Sequence, residues 1–178
     1  PLLLGAPRLQ TSDTRTDYYN SAYFFSSAGQ LVDVYDKLRL VPFAEYRPFS
    51  LPSLLPHSPE APSEFTPGTR ATVFPLGDNS FGVTICYEAA YPALSRRLAQ
   101  EGAQFLVNIS NDTWLSGTPA ATQQHLAMNV LRAVENKRTL VRAATNGVSG
   151  FVEPTGRIVQ SSTAREVVLQ EQVFPHRE

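Results

Sequence analysis

The sequence predicts a layered α/β domain, in which a sheet is buried under helices. Most apolar residues follow the two-residue period of strands, and two segments carry the period of an amphipathic helix. A short and almost wholly apolar run between those segments is typical of a strand that is covered on both faces. This order of hairpins, helix, strand, helix and further strands favours a layered fold.

Two hairpins are predicted in the first half of the chain. Aromatic-rich residues 17–26 and alternating residues 31–37 flank a short loop that contains a glycine. Residues 71–76 and 81–88 flank a Gly-Asp-Asn turn, whose residue types suit a tight reversal.

Two helices are predicted at residues 91–101 and at about 120–137. Pro92 suits the first turn of the shorter helix, and Gly102 suits its end. In the longer helix, one apolar stripe is formed by Leu126, Val130, Ala133 and Val134.

Further strands are predicted where short apolar runs occur between turns. Residues 1–10 resemble the middle of a buried strand, and residues 104–110 and 138–145 resemble strands as well. Residues 148–160 predict a hairpin, and residues 165–173 predict a last strand.

A proline-rich loop over about residues 44–68 breaks this pattern. Seven of the 14 prolines lie between Pro42 and Pro67, a density that excludes a regular helix or a central strand. A loop of this length in a compact domain is usually functional or disordered, and we expect this one to be an active-site loop. Its apolar side chains either contact a lipid surface or pack back onto the domain, and they are Phe49, Leu51, Leu54, Leu55 and Phe65.

Composition excludes several classes of function. The 178 residues carry a net charge of −1, which lacks the basic excess of a nucleic-acid-binding protein. No apolar run is long enough for a transmembrane helix. A single cysteine rules out an intrachain disulfide, and no zinc cluster or nucleotide-binding motif is readable, so no metal or cofactor is predicted.

Cys86, Lys37 and Glu45 are candidates for nucleophilic catalysis. Cys86 lies at the end of a predicted strand and before a helix, where a thiolate is favoured. Lys37 beside it would stabilise the thiolate and an oxyanion, and Glu45 would orient Lys37 or act as a base. A buried structural thiol and two exposed charged residues are the competing interpretation.

The three histidines offer no readable partner for Cys86. His57 lies in the proline-rich loop and His176 near the end of the sequence. His125 is more typical of a satisfied residue on a helix face than of a catalytic base, because spacing identifies no partner carboxylate.

Four segments resemble one protein family. They are YDKLRLVPFAEYRP, ICYEAAYP, NISNDTWL and QQHLAMNVLRAVENKRTLVRAATNGVSGFVEPTGRI. Together they resemble the nitrilase superfamily of carbon–nitrogen hydrolases, and within it the catalytic domain of bacterial apolipoprotein N-acyltransferases. The resemblance implies one nitrilase-type αββα sandwich over residues 1–178, incomplete at its N-terminus.

The resemblance also implies roles for single residues. Cys86 matches the nucleophile, Lys37 the lysine of a Glu–Lys–Cys triad, and Glu45 a second glutamate near the active site. Tyr87 matches the residue whose backbone N–H joins Lys37 in an oxyanion hole. The residues that match pocket-lining or substrate-binding positions are Tyr87, Glu88 and Trp114.

The activity implied is transfer of a fatty acyl group from a phospholipid to a diacylated lipoprotein, at the periplasmic side of a bacterial inner membrane. The triad's base glutamate has no match in this sequence, so the 178 residues are expected to be an inactive piece of a longer protein. Two alternatives remain open: a soluble amidase or carbamoylase, and an inactive nitrilase-like binding module.

Overall fold

The computed structural model describes residues 1–47, 64–115 and 118–162, together with Val173, Pro175 and His176. These residues form two sheets and two α-helices in three layers. The small sheet packs on one face of the large sheet, and the helices pack on the other face. No helix among the described residues is both long and apolar enough to cross a membrane.

The small sheet is antiparallel and has three strands. Strands β1 (Leu2–Thr11), β2 (Thr16–Phe25) and β3 (Leu31–Asp36) follow one another in space as they do in the chain. The pairing of β2 with β3 confirms the first predicted hairpin. The expectation that the first ten residues are buried is wrong for the described structure, because β1 is an edge strand on which Leu2 and Leu9 are 56% and 59% exposed.

The large sheet has six strands in chain order. They are β4 (Val73–Leu76), β5 (Asn79–Ile85), β6 (Phe105–Asn111), β7 (Leu140–Thr145), β8 (Gly150–Val152) and β9 (Ile158–Ser161). The central strands β5, β6 and β7 are parallel, and the outer pairings are antiparallel. The carboxyl ends of three neighbouring strands therefore meet at one edge, where α/β sheets place reactive groups.

Both predicted helices form. Helix α1 (Pro92–Gln100) approaches β5 so closely that a Cβ atom at Gly82 would lie 2.8 Å from the Cβ of Leu98. Helix α2 (Pro119–Asn136) buries Leu126 and Ala133 as predicted, but Val134 is 43% exposed. The helix buries polar side chains as well, and these are His125, Asn129 and Arg132.

Aromatic rings fill the space between the sheets. The ring of Phe24 from β2 packs edge-on against Phe81 from β5 at 5.1 Å between centroids. Phe81 in turn stacks on Phe105 from β6 at 5.3 Å. A second cluster joins the helices to the large sheet through Leu94, Leu98, Leu106, Ala133, Leu140 and Val152. These two cores fix the positions of the parallel strands β5, β6 and β7 and of their carboxyl ends.

Two predicted features lie largely outside the described residues. Residues 48–63 of the proline-rich loop are not described, so the lipid-contact hypothesis for most of its apolar side chains stays a prediction. Most of the predicted last strand is also not described, although Val173 packs against the core between the sheets.

Candidate active site

Cys86 lies at the turn from β5 into a 3₁₀ helix, Cys86–Ala90. Its φ of 54° is left-handed, a conformation that costs a non-glycine residue about 1–3 kcal/mol and is common at functional sites. The Asn108 side-chain amide holds this turn, donating to the carbonyl oxygens of Cys86 and Thr84 at 3.3 Å each. The side chain of Cys86 is thereby placed at the carboxyl edge of the parallel strands.

A cavity of about 1040 Å³ opens at this edge. Cys86, Lys37 and Glu45, the three residues predicted to act in catalysis, all line it. Its apolar side chains come from both sheets, as Leu3, Leu4, Ile85 and Ile109 do, and from the turn after β6, which supplies Trp114. Polar side chains such as Asn20, Ser110 and Thr145 also line it. The fold therefore brings a thiol, an ammonium group and a carboxylate to one cavity of mixed polarity.

Lys37 and Glu45 form an ion pair in the cavity wall. The Lys37 ammonium donates to both carboxylate oxygens of Glu45, at 2.9 and 2.8 Å, and its side chain is only 1% exposed. The same carboxylate also accepts from the Asn20 side-chain amide at 2.8 Å and from the Val41 N–H at 2.7 Å. These contacts fix the position of the ammonium, because they tie Glu45 to Asn20 on β2 and to the backbone of Val41 in the loop after β3.

Glu88 does not line the cavity, contrary to the expectation for this residue. It is fully buried, and its carboxylate accepts from the N–H groups of Leu38, Arg39 and Ile85 and from the Tyr35 hydroxyl. Burial raises the pKa of Glu88, while the hydrogen bonds from Ile85 and Arg39 work in the opposite direction. The residue ties the chain that follows Lys37 to the chain that precedes Cys86.

Tyr87 and Trp114 lie beside a second, smaller cavity of about 130 Å³. Trp114 is 60% exposed and lines both cavities. The Tyr87 ring lines only the small one, where it packs edge-on against Tyr91 at 5.8 Å. The Tyr87 N–H belongs to the first turn of the 3₁₀ helix, where N–H groups have no partner within the helix.

A buried polar cluster centred on Asp112 was not predicted. One Asp112 oxygen accepts from the Ser110 hydroxyl at 2.6 Å and lies 3.1 Å from His125 Nδ1, and the other accepts from Arg142 at 2.6 Å. Burial alone would raise the pKa of Asp112, but His125, Ser110 and Arg142 together lower it to about 2. The carboxylate is therefore ionised at neutral pH.

Asn108 links this cluster to Cys86. The Arg142 guanidinium donates to the Asn108 side-chain oxygen, and the Asn108 amide nitrogen donates to the Cys86 carbonyl. A glycine is required at Gly147, because a Cβ atom there would collide with the Asp112 carboxylate. The turn after β7 is therefore shaped around Asp112.

One sequence signal points to this cluster. Asn108, Ser110 and Asp112 alternate along β6 and its end, so they share one face of an otherwise apolar strand. Such a polar face in a covered sheet requires buried partners. His125 and Arg142 supply those partners from α2 and β7. Because both are far from Asp112 in the sequence, spacing alone did not predict these contacts.

Three buried groups in this region carry atoms that metals bind. The Cys86 sulfur, an Asp112 oxygen and a His125 nitrogen lie within 4.8 Å of one another. Asp112 already forms an ion pair with Arg142, and a divalent cation would be repelled by that guanidinium. We therefore assign no metal to this cluster.

Comparison with known proteins identifies relatives over nearly the whole chain. The profile of the carbon–nitrogen hydrolase family matches residues 2–174. The apolipoprotein N-acyltransferase of Geobacter metallireducens is 37% identical over 159 residues, which are 88% of this chain and 30% of that protein. The protein of the same name from Brucella melitensis is 40% identical over 182 residues, which are 98% of this chain and 34% of the relative. The chain thus spans about a third of the length of these relatives.

Solved structures confirm the predicted nitrilase-type αββα fold. A Saccharomyces cerevisiae member of branch 10 of the nitrilase superfamily matches with a TM-score of 0.68 and 22% identity, over 90% of this chain and 55% of that chain. An amidase from Nesterenkonia sp. matches with a TM-score of 0.66 and 20% identity, over 92% of this chain and 57% of that chain. The described residues supply three of the four layers of that fold.

Proposed function

The chain belongs to the carbon–nitrogen hydrolase family, and we propose that it is the catalytic part of an apolipoprotein N-acyltransferase. In this proposal a fatty acyl group passes from a phospholipid to the N-terminal α-amine of a diacylated lipoprotein. The relatives that carry this name support it. The observation that carries it is that Cys86 and the fixed Lys37 ammonium line the same cavity, which also has an apolar part.

In the first half-reaction, the Cys86 sulfur attacks the ester carbonyl carbon of the phospholipid. A carbon–sulfur bond forms, and the carbonyl electrons move onto oxygen. When this intermediate collapses, the ester carbon–oxygen bond breaks, the proton given up by the Cys86 thiol ends on the leaving oxygen, and lysophospholipid departs as an alcohol. The acyl group then remains on Cys86 as a thioester, for which a strand-end thiol beside a cationic group is suited.

Lys37 and the Tyr87 N–H hold the oxyanion in this proposal. The Lys37 ammonium has three N–H donors, and Glu45 accepts two of them. We assign the third donor to the oxyanion. Because Glu45 already fixes the ammonium, little reorganisation is needed when the negative charge develops, and one such donor contributes about 3 kcal/mol to transition-state stabilisation.

In the second half-reaction, the lipoprotein amine attacks the thioester. The carbon–nitrogen bond forms, the carbon–sulfur bond breaks, and Cys86 is regenerated while a base takes the amine proton. The family resemblance assigns this proton to a glutamate that has no match in the present sequence. The inactivity of these 178 residues on their own stays a prediction that an acyl-transfer assay of the purified chain would test.

The cavity suits an acyl chain as the group that is transferred. Its volume of about 1040 Å³ lies at the upper end of the range for small-molecule sites, about 300–1,000 Å³. Leu3, Leu4 and Ile109 give it an apolar wall, along which hydrocarbon is favourably buried. With a phospholipid as donor, we place the intact protein at a bacterial inner membrane with this domain on the periplasmic side.

The proposal is tested by trapping the acyl-enzyme. We expect mass spectrometry of the intact protein, after incubation with phospholipid vesicles, to show one fatty acyl adduct on the peptide that contains Cys86. The variant Cys86→Ser forms no thioester and should lack the thioester adduct. An adduct on another residue would contradict the assignment. Rapid release of the acyl group to water, with no transfer to an amine, would favour the amidase alternative.

A further inference from the structure

Lys37 and Cys86 reach the same cavity from different sheets. Lys37 follows β3 of the small sheet, whereas Cys86 follows β5 of the large sheet. The two sheets pack through aromatic and aliphatic side chains, and contacts of that kind are not directional. The position of the ammonium relative to the sulfur therefore depends on directional contacts, such as hydrogen bonds, between the two chain segments.

The buried carboxylate of Glu88 supplies such contacts. One of its oxygens accepts from the N–H groups of Leu38 and Arg39, at 2.8 and 2.9 Å, directly after the lysine. The other accepts from the N–H of Ile85 at 2.8 Å, directly before the cysteine. This contact with the residue that precedes a helix is typical of a glutamate at the third helical position. Each oxygen thus holds one of the two segments.

Tyr35 restricts the rotation of this carboxylate. Its hydroxyl lies 2.8 Å from both Glu88 oxygens, and both side chains are fully buried. The last torsion of a glutamate side chain has only a broad preference, so a contact that spans both oxygens limits where each oxygen points. Burial and the negative charge of Glu88 raise the pKa of Tyr35 well above its ordinary value of about 10, so the hydroxyl remains a donor.

We propose that Tyr35 is a positioning residue, which acts through Glu88 to set the position of the Lys37 ammonium relative to the Cys86 sulfur. This inference deepens the proposed function and rests on its assignment of Lys37 to the oxyanion. Neither Tyr35 nor Glu88 lines the large cavity, so both act through the residues they hold and not through contact with a substrate there.

An ionised carboxylate suits this role better than a neutral side chain does. The described partners of the two Glu88 oxygens are N–H and O–H donors, and a carboxylate accepts from all of them. Burial raises the pKa of Glu88, but the Tyr35 hydroxyl and the positive charge of Lys37 favour its ionised form. A glutamine would present an NH₂ group to the N–H donors of one segment and would lose its hold on that segment.

The test compares the rate and the yield of the acyl adduct. The intact protein and its variants are incubated with vesicles of one synthetic diacyl phospholipid at increasing concentrations. The Cys86 adduct is then quantified by mass spectrometry at successive times. Tyr35→Phe removes the hydroxyl and keeps the ring, which packs in the core between the sheets.

We expect the maximal rate to fall about tenfold in Tyr35→Phe and about 10²-fold in Glu88→Gln, because misplaced reacting groups slow a reaction strongly. The half-saturating concentration of phospholipid should stay unchanged, since neither side chain lines the cavity. The matched control Tyr23→Phe removes a hydroxyl from the same sheet, where it makes a long contact of 3.5 Å with the Pro7 carbonyl oxygen. This control should leave the rate unchanged.

Two readouts separate positioning from a loss of folded protein. A merely structural role would lower the amount of protein that forms the adduct and leave its rate constant unchanged. Lys37→Met removes the group that Tyr35 is proposed to position, so adding Tyr35→Phe to that variant should not slow the reaction further. An unchanged rate constant in Tyr35→Phe, or an equal decrease in the presence of Lys37→Met, would overturn the role of Tyr35. An acyl adduct away from Cys86 would instead overturn the proposed function.

Hydrogen exchange of the unsubstituted protein tests the bridge without any variant. The amide protons of Leu38, Arg39 and Ile85 should exchange much more slowly than those of an unstructured peptide, because Glu88 holds them in a buried place. Exchange of Leu38 and Arg39 at the rate of an unstructured peptide would overturn the proposal even if both variants failed to fold.

Discussion

Two ion pairs with a buried cation lie in this part of the fold, and they differ in their relation to the large cavity that Cys86 lines. Lys37 and Glu45 are 2.8 Å apart and both line the cavity. Arg142 and Asp112 are 2.6 Å apart, have no exposed side-chain surface, and are not among the cavity-lining residues. The chemistry of the two pairs is alike, since each joins one cation to one carboxylate.

Access to the cavity predicts different roles for the two pairs. We expect Lys37 and Glu45 to act in the reaction and Arg142 and Asp112 to support the fold. Lys37 can contact a substrate directly because a wall of the cavity is formed by its side chain. Arg142 and Asp112 are linked to Cys86 through Asn108, which accepts from Arg142 and donates to the Cys86 carbonyl oxygen. Changes to the first pair should therefore lower the rate more than the stability, and changes to the second should lower the stability strongly.

The largest effect is expected for Lys37→Met. In the proposed mechanism this change removes an oxyanion donor, so we expect acyl-adduct formation on Cys86 to slow about 10³-fold. Glu45 keeps its hydrogen bonds from Asn20 and Val41, which limits the loss of stability. Mass spectrometry of samples quenched at successive times measures the rate of adduct formation, and thermal unfolding measures the stability of the variant.

The control for this variant is Glu45→Gln, which keeps Lys37 and removes only the opposite charge. We expect a smaller decrease in rate, because the Lys37 ammonium is still present but less firmly held. Adduct formation at the original rate in Lys37→Met would show that Lys37 does not contact the reacting carbonyl.

Asp112→Asn should have the largest effect on stability. It leaves the Arg142 guanidinium buried without its counter-charge, and breaking a buried pair in this way costs about 3–5 kcal/mol. The urea midpoint of unfolding measures the loss. For comparison, Glu101→Gln breaks the exposed Arg97–Glu101 pair on α1 and should change stability by less than about 0.5 kcal/mol. Similar losses in the two variants would show that burial does not distinguish them.

Acid should weaken the second pair in the same way. The folded pKa of Asp112 is about 2, below its usual 3.8, so its charge stabilises the fold above pH 3.8. That contribution is lost as the pH falls from 3.8 to about 2, and it amounts to about 2 kcal/mol. The free energy of unfolding, measured across this pH range, should therefore decrease more steeply with falling pH for the unsubstituted protein than for Asp112→Asn. Parallel curves would contradict the assigned cause.

Sequence reasoning singled out Lys37 and Glu45, and it missed the pairing of Arg142 with Asp112. Lys37, Glu45 and Cys86 lie in short motifs, and two of them end predicted strands, so local pattern and family resemblance were sufficient to bring them together. The pairing of Asp112 with His125 and Arg142 depends on three separate elements packing side by side. Spacing along the chain does not contain that information.

The same limit explains the misplacement of Glu88. The family resemblance matches Glu88, two residues after Cys86, to a pocket-lining position, but a motif match does not fix the direction of a side chain. The 3₁₀ turn directs the carboxylate back toward Ile85 and the chain after Lys37, away from the cavity. Side chains repeat their direction every two residues in a strand and every three to four residues in a helix. Neither period applies across such a turn.

The last prediction concerns Glu88, and the sign of its pH dependence is opposite to that of Asp112. Burial raises the folded pKa of Glu88 above the usual 4.5, so the folded state holds this proton more tightly than the unfolded chain does. Stability due to Glu88 should therefore increase as the pH falls from above that raised pKa toward 4.5. Glu88→Gln removes this pH dependence. It also lowers the free energy of unfolding at neutral pH by about 1–3 kcal/mol, because one amide oxygen cannot replace two carboxylate oxygens as acceptors for the N–H groups of Leu38, Arg39 and Ile85. Urea unfolding at a series of pH values above 4.5 tests both statements, and an unchanged pH dependence in Glu88→Gln would show that another group titrates there.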